Sequence, residues 1–371
     1  MQYSIHIHYI EQVVSLLIAG GCIQGFVLTF LLFHKKRYYD RYLGILTLFF
    51  SINIALSEFV VSVFDATPEE YLFFFGPFQL ILGPVLYFYI RSMIGQSSNF
   101  ALKNITHFIP VCLYIIISIV YHIVPSSPMG QHITSQMTTI NIFIWCMIFI
   151  QLGFYIHLIE AKRKIHRNNL KECRSSLKGY ELKWPGQLIK VFVVLNFSNV
   201  IILFWYIGDH HRIGIQKTIA LLYCFCIYYL GYRGLLQKHV INMELNKKDS
   251  NKYGRSSLSK ERIEYYWSKL ESYMEKEKPY LIPALKLTDL AEKLGLSPHH
   301  LSQIFTRMNR SFYEYINSYR IETCKKILKD PSKKHLSILQ LAFEGGFNSK
   351  TTFNTLFKNA TGLTPTQFRR N

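Results

Sequence analysis

Apolar residues fall in long unbroken runs over the first part of the chain and in short periodic stripes over the last part. Residues 13–33 (VVSLLIAGGCIQGFVLTFLLF) are 21 positions without a charge, and six stretches of similar length follow at 43–63, 71–90, 106–124, 137–159, 189–207 and 218–236. A helix of that length crosses a hydrocarbon layer about 30 Å thick. The pattern therefore predicts a seven-span membrane domain over residues 1–238. Residues 239–257 (HVINMELNKKDSNKYGRSS) show no apolar period and read as a linker. From 258 to 371 the spacing becomes that of short amphipathic helices, so the expected fold class is all-α throughout.

Lys and Arg in short loops set the orientation of such a bundle, because basic loops stay on the cytoplasmic side. Loops 34–42, 91–104 and 160–188 hold 14 basic residues, whereas 64–70, 125–136 and 208–217 hold two, Arg212 and Lys217. The expected topology has the N-terminus outside and residues 258–371 inside. The first residues, MQYSIHIHYIEQ, contain no Lys or Arg and so lack the basic start of a cleavable signal peptide. The first apolar stretch is expected to remain in the mature protein.

Composition narrows the class. Half the residues belong to the hydrophobic set and only 18% are charged, against about 25% in soluble domains, which speaks against a wholly soluble protein. The 28 Phe and 25 Tyr exclude a mainly disordered chain. The net charge of +19 must face something negative, either lipid headgroups or nucleic acid. Within the spans, Gly76-Pro77 and Gly83-Pro84 predict a kink that serves packing or a hinge, and Glu58 is the one carboxylate well inside a span. His6, His8, His122, His132, His210 and His211 fall on or near the outer side; scattered surface histidines are the simpler account of them than a metal or proton sensor.

In the last part, Leu258, Ile263, Trp267, Leu270 and Met274 mark one helix face, limited by Pro279. Leu287, Leu290, Ala291 and Leu294 make a stripe that Gly295 ends, and Ser297-Pro298 supplies an N-cap and an N1 proline for the next helix. Leu301, Ile304 and Phe305 face inward there, which is helix-turn-helix spacing over about 284–310. A long helix over 311–328 follows, with Phe312, Tyr315, Ile316, Tyr319, Ile327 and Leu328 as its core. A second unit spans about 335–365: Ser337 and Gln340 have capping-box spacing, Ser349 caps the last helix, and Phe353, Leu356 and Phe357 point inward.

These residues carry a family resemblance. LAEKLGLSPHHLSQIF, INSYRIETCKKIL and LAFEGGFNSKTTFNTLFKNATGLTPTQFRR resemble the DNA-binding domain of AraC/XylS regulators, over about the last 93 residues. Gly346-Phe347, Ser349, Phe353, Phe357, Lys358, Gly362, Pro365 and Arg369 stand where that family has them. Gly345 and Cys324 depart from it, at positions where an apolar residue and an alanine are usual. GPVLYFYIRSM and HFIP also resemble the multi-span front of membrane-bound members. The resemblance implies two helix-turn-helix units, joined by a connector helix, that enter successive major grooves of double-stranded DNA. It implies base reading by His299, Ser302 and Gln303 in the first unit and by Lys350, Thr351, Thr352, Asn354 and Thr355 in the second. Arg307, Lys358, Arg369 and Arg370 are the expected phosphate contacts. From residue 279 onward, 14 basic residues stand against 6 acidic ones, which favours a polyanionic partner over a merely solvated face.

The expected protein is a membrane-embedded one-component transcription regulator in a bacterial cytoplasmic membrane, with DNA and the lipid bilayer as partners. A small-molecule or membrane signal, acting through the seventh span and the 239–257 linker, and a second copy of the chain stay open as further partners. The alternative from another class is a transporter or substrate-binding membrane protein with a regulatory cytoplasmic module. No HExxH, GxSxG or GxxxxGK[ST] motif occurs, and the seven cysteines form no CxxC pair. Hence no catalytic residue, metal or cofactor is expected.

Overall fold

The computed structural model describes residues 2–35, 38–64, 68–95, 102–123, 137–207, 212–236 and 258–370. Among them the secondary structure is helical, apart from one antiparallel bridge between Arg174 and Lys286. The first part contains α1 (Gln2–His34), α2 (Tyr38–Phe64), α3 (Pro68–Met93), a 3-10 helix (Leu102–Phe108) leading into α4 (Ile109–Ile123), α5 (Met137–Cys173), α6 (Lys183–Ile207) and α7 (Arg212–Leu236).

Each apolar stretch falls on one of these helices, with two departures from expectation. The fourth is divided, because Pro110 lacks the N–H that would continue a helix from upstream and instead occupies the first turn of α4. The fifth runs on to Cys173, 14 residues beyond its apolar part. The extension is charged on its outside, yet His166, Leu170 and Cys173 are buried at helical spacing. Helix α3 is continuous across both Gly-Pro pairs. At Gly83 the reason is packing, since a Cβ there would run into the Tyr155 ring. The side chains of Glu58 and of the six candidate histidines lie outside the described ones, as does the 239–257 linker.

The chain divides into two units: Met1–Lys162 with Leu182–Asn242, and Arg163–Glu181 with Met243–Asn371. In the first, Leu43, Leu46, Phe50, Tyr89, Leu188, Phe192 and Ile227 belong to the core. Polar groups also sit inside: Thr29 Oγ1 donates to Gly25 O and lies 2.9 Å from Thr47 Oγ1, Ser51 Oγ donates to Thr47 O, and Trp184 Nε1 donates to the Tyr89 hydroxyl. Large apolar side chains stand outward instead, among them Leu16 (73% exposed), Ile23 and Phe30 on α1, Ile116 on α4, Ile150 (73%) on α5 and Phe225 on α7. Among the described residues, one helical stretch, Gln12–His34, is long and apolar enough to cross a membrane.

The second unit holds α8 (Lys260–Glu277), α9 (Leu287–Leu294), α10 (Pro298–Arg307), α11 (Phe312–Lys329), α12 (Ile338–Glu344), α13 (Lys350–Thr361) and α14 (Pro365–Arg370). Two cores lie along α11. Its N-terminal half packs Phe312, Tyr315 and Ile316 against Leu270, Leu290, Leu301 and Phe305. Its C-terminal half packs Ile321, Cys324 and Leu328 against Leu341, Phe347, Phe353 and Phe357. The contiguous boundary expected at residue 258 omits residues 163–181, which sit with this unit.

Candidate nucleic-acid interface

Local chemistry builds both helix-turn-helix units. Ser297 Oγ accepts from His300 N at 3.2 Å with Pro298 at the first helical position, so α10 starts where the chain leaves Gly295, whose φ of +69° turns the backbone after α9. Ser337 and Gln340 form the expected capping box of α12, and Ser349 Oγ accepts from Thr352 N at the start of α13. Ser311 and Glu314 make a further box that starts the connector α11.

The reading candidates occupy the outer faces of α10 and α13. His299 is exposed, and Ser302 and Gln303 are half-buried. The Gln303 Oε1 is buried without a hydrogen-bond partner among the described residues, so turning outward onto a base edge would give it one. On α13, Lys350, Thr351, Asn354 and Thr355 are exposed together, opposite the fully buried Phe353 and Phe357. Thr355 Oγ1 donates to Thr351 O at 2.9 Å, which leaves its methyl free to turn outward. Thr352 is half-buried.

Of the expected phosphate contacts, Arg307, Lys358 and Arg370 are exposed. Arg369 differs. It donates to Leu336 O at 2.7 Å and to the carbonyls of Lys333 and Lys334, so its guanidinium ties α14 to the turn before α12. Charge alone gave no sign of this, because the acceptors are main-chain groups 33 to 36 residues away.

Sequence reasoning also missed Arg320, the largest fully buried side chain among the described residues, which lies where the two cores meet on α11. It donates to Tyr280 O (2.7 Å), Ile282 O (2.7 Å), Ser175 O (3.1 Å) and Ser175 Oγ (3.0 Å). Burial lowers its pKa to about 10, still well above neutrality, so the group stays charged. A buried arginine satisfied by carbonyls fixes geometry on both sides of itself. The approach to the first helix-turn-helix (Tyr280, Ile282) and the connector thus share one hub.

The two family departures explain each other. A Cβ on Gly345 would overlap Cys324 Sγ, so the thiol fills the space that a larger residue at 345 and an alanine at 324 would divide differently. Burial pushes that thiol up to about 12, which leaves it an inert filler. Gly345→Ala alone is expected to cost about 1–3 kcal/mol through overpacking. Adding Cys324→Ala is expected to recover at least about 1 kcal/mol of it. Thermal unfolding of the two single variants, the double variant and the parent chain measures that coupling, and strict additivity would contradict it.

Comparison with known proteins agrees with this geometry. A family model described as a helix-turn-helix domain matches residues 290–371. The chain is 35% identical over 88 residues to the Msm operon regulatory protein of Streptococcus mutans, a match covering 24% of this chain and 31% of that protein. It is 34% identical over 88 residues to the melibiose operon regulatory protein of Escherichia coli, covering 24% of this chain and 28% of that one. With the probable transcription factor PqrA of Proteus vulgaris it shares 35% over 88 residues, again 24% of this chain but 70% of the relative. No solved structure matches the chain. The likeness to the first two regulators spans about a third of their length, whereas that to PqrA spans most of it, and through its paired helix-turn-helix units the chain belongs to the AraC-type family of transcription regulators.

Proposed function

We propose that this chain is a membrane-embedded one-component transcription regulator, in which the second unit reads promoter DNA and the first holds it in the bacterial cytoplasmic membrane and receives a signal. The observation that carries the DNA half is the pair of polar faces on α10, partly exposed, and on α13, exposed, mounted on one connector and each backed by its own aromatic core. Asn354 and Gln303 suit bidentate pairing with adenine, and Lys350 suits guanine O6 and N7. Arg307, Lys358 and Arg370 supply charge for phosphates, which sets register without reading sequence.

The membrane half is supported by the inversion of polarity in the first unit. Two threonine hydroxyls pair inside it and a serine hydroxyl donates to a helix carbonyl, while leucine, isoleucine and phenylalanine face outward on five helices. An outward apolar surface of that extent needs a partner, and lipid tails satisfy a whole bundle at once. Close helix contacts at Gly21 against Cys224 and at Gly25 against Ser51 are the small-residue packing that lipid-embedded bundles use. The strongly basic loops 34–42 and 160–188 favour the seven-span, C-terminus-inside topology.

DNA binding by the full chain in lipid nanodiscs, with fragments from its own upstream region over a salt series, tests the proposal. Asn354→Ala and Gln303→Ala are each expected to weaken specific binding by about 1–3 kcal/mol and to relax preference at one base step. Lys358→Ala is expected to weaken binding to all sequences alike and to reduce the salt slope by about one. Binding without sequence preference at every salt concentration would refute DNA reading.

A further inference from the structure

Residues 163–181 lie between two apolar stretches and carry six Lys and Arg side chains, which marks them as a loop at the membrane surface. Their contacts place them in the DNA-reading unit instead. The chain from Arg174 onward forms a short strap that touches three parts of that unit in turn. At the approach to α9, Arg174 pairs in antiparallel fashion with Lys286, and Ser175 N and Oγ both donate to Leu285 O. On the connector, Ser175 O accepts from Asn317 Nδ2 and from Arg320 Nη1, both at 3.1 Å. At the second helix-turn-helix, Ser176 Oγ donates to Asn348 Oδ1 at 2.8 Å and Lys178 Nζ donates to Asn348 O at 2.9 Å. Leu170 and Leu177 bury against Tyr313, with Leu356 of α13 packed alongside.

We propose that residues 163–181 are an internal partner of the DNA-reading domain, whose docking sets the placement of α13 relative to the first helix-turn-helix and through which the first unit controls DNA binding. The inference rests on the DNA-reading function proposed above. Three observations carry it. Asn348 immediately precedes Ser349, the N-cap of α13, so the strap holds the recognition helix at its entry point. Lys350, Thr351, Asn354 and Thr355 stay exposed while the strap is docked, so it positions the reading face rather than covering it. Ser175 also satisfies two donors of the buried Arg320, and undocking would leave a desolvated cation short of acceptors, which forces the connector to rearrange.

The strap is joined at both ends to helices of the first unit. Residues 137–162 of α5 belong to that unit and 163–173 of the same helix to the second, and α6 begins at Lys183. A change in α5 or α6 therefore reaches Ser175 along the chain itself. Two arrangements of the strap with different DNA affinity are all that such coupling requires.

The full chain in lipid nanodiscs tests this. Ser176→Cys with Asn348→Cys is expected to form a disulfide on mild oxidation, identified by mass spectrometry of the linked peptides, and the linked form is expected to bind upstream DNA at least as tightly as the parent. Ser176→Ala with Lys178→Ala removes the two bonds to Asn348 without touching the strap's apolar contacts. That pair is expected to weaken specific binding about tenfold and to erase base preference at the half-site read by α13, with the α10 half-site preference and the melting temperature unchanged. Leu177→Asp is expected to lose binding and preference more strongly, with a lower melting temperature because it buries an unpaired carboxylate, and Lys178→Arg to keep the parent behaviour. Absence of the disulfide, unchanged affinity and preference in both releasing variants, or tighter binding on release would each overturn the inference. A parent chain that binds DNA specifically while ignoring the strap overturns this inference alone, whereas a parent that forms the disulfide yet binds no DNA overturns the DNA-reading function and this inference with it.

Discussion

Arg320→Leu is expected to destabilise the DNA-reading unit by at least about 3 kcal/mol, because it strips the donor from several buried neutral acceptors at once. The leucine would leave the carbonyls of Tyr280 and Ile282 and both oxygens of Ser175 without the donors they now share. Each is a desolvated acceptor, and leaving such a group unmatched costs about 1–3 kcal/mol. Domains are stable by only about 5–15 kcal/mol, so a loss of this size brings the unit close to unfolding at growth temperature. Arg320→Lys keeps the charge on a single nitrogen that cannot bridge carbonyls on several sides of a planar fork, and it is expected to recover less than half the loss. Hydrogen exchange resolved along α9 to α13, together with thermal unfolding, measures the effect. Unchanged protection in the leucine variant would mean that these carbonyls find other partners.

Gly346→Ala is expected to cost about 2–4 kcal/mol, from two causes that add. The backbone at Gly346 has φ of +85°, a left-handed conformation that a Cβ disfavours. A Cβ there would also stand 2.6 Å from the Tyr280 carbonyl oxygen and 2.9 Å from Leu281 Cα, both main-chain atoms with little room to move. Tyr280 O is the acceptor that Arg320 Nε uses, so the substitution disturbs the hub as well as the turn before α13. The expected result is a lower melting temperature together with weaker DNA binding. A variant as stable as the parent would show that the turn relaxes without loss. By contrast Gly345, with φ of −76°, is constrained by the neighbouring thiol alone.

Much of the second unit was legible because its signals are local. Ser297 before Pro298, Ser337 with Gln340, and Ser349 each cap a helix within three residues of themselves, and the apolar stripes of α9, α10 and α13 repeat at helical spacing. The open faces of α10 and α13 follow from the same periodicity, as the residues left over when the core positions are taken out, whereas the choice of base-reading positions on them is what the family resemblance implies. The apolar stretches of the first unit likewise placed its helices, though Pro110 divided one and the charged tail of α5 concealed another's length.

What stayed hidden is long-range. An arginine on an amphipathic helix is assigned to the outside, and nothing within a few residues of Arg320 announces carbonyls from positions 175, 280 and 282. The main-chain partners of Arg369 are hidden for the same reason, its acceptors lying in the turn before α12. Residues 163–181 read as part of a basic cytoplasmic loop of the first unit because positive charge is a loop signal, while the buried His166, Leu170, Ser175 and Leu177 that dock them onto the second unit are too sparse to show a pattern.

The central claim is that one chain holds a bilayer and reads two successive grooves of a promoter. Footprinting its upstream DNA with the full chain in lipid nanodiscs tests this most directly. The account predicts two protected major-groove segments on one face of the duplex, about one helical turn or 34–36 Å apart, of which Asn354→Ala weakens one and Gln303→Ala the other. Protection that is absent, or confined to a single groove and indifferent to both substitutions, would contradict it.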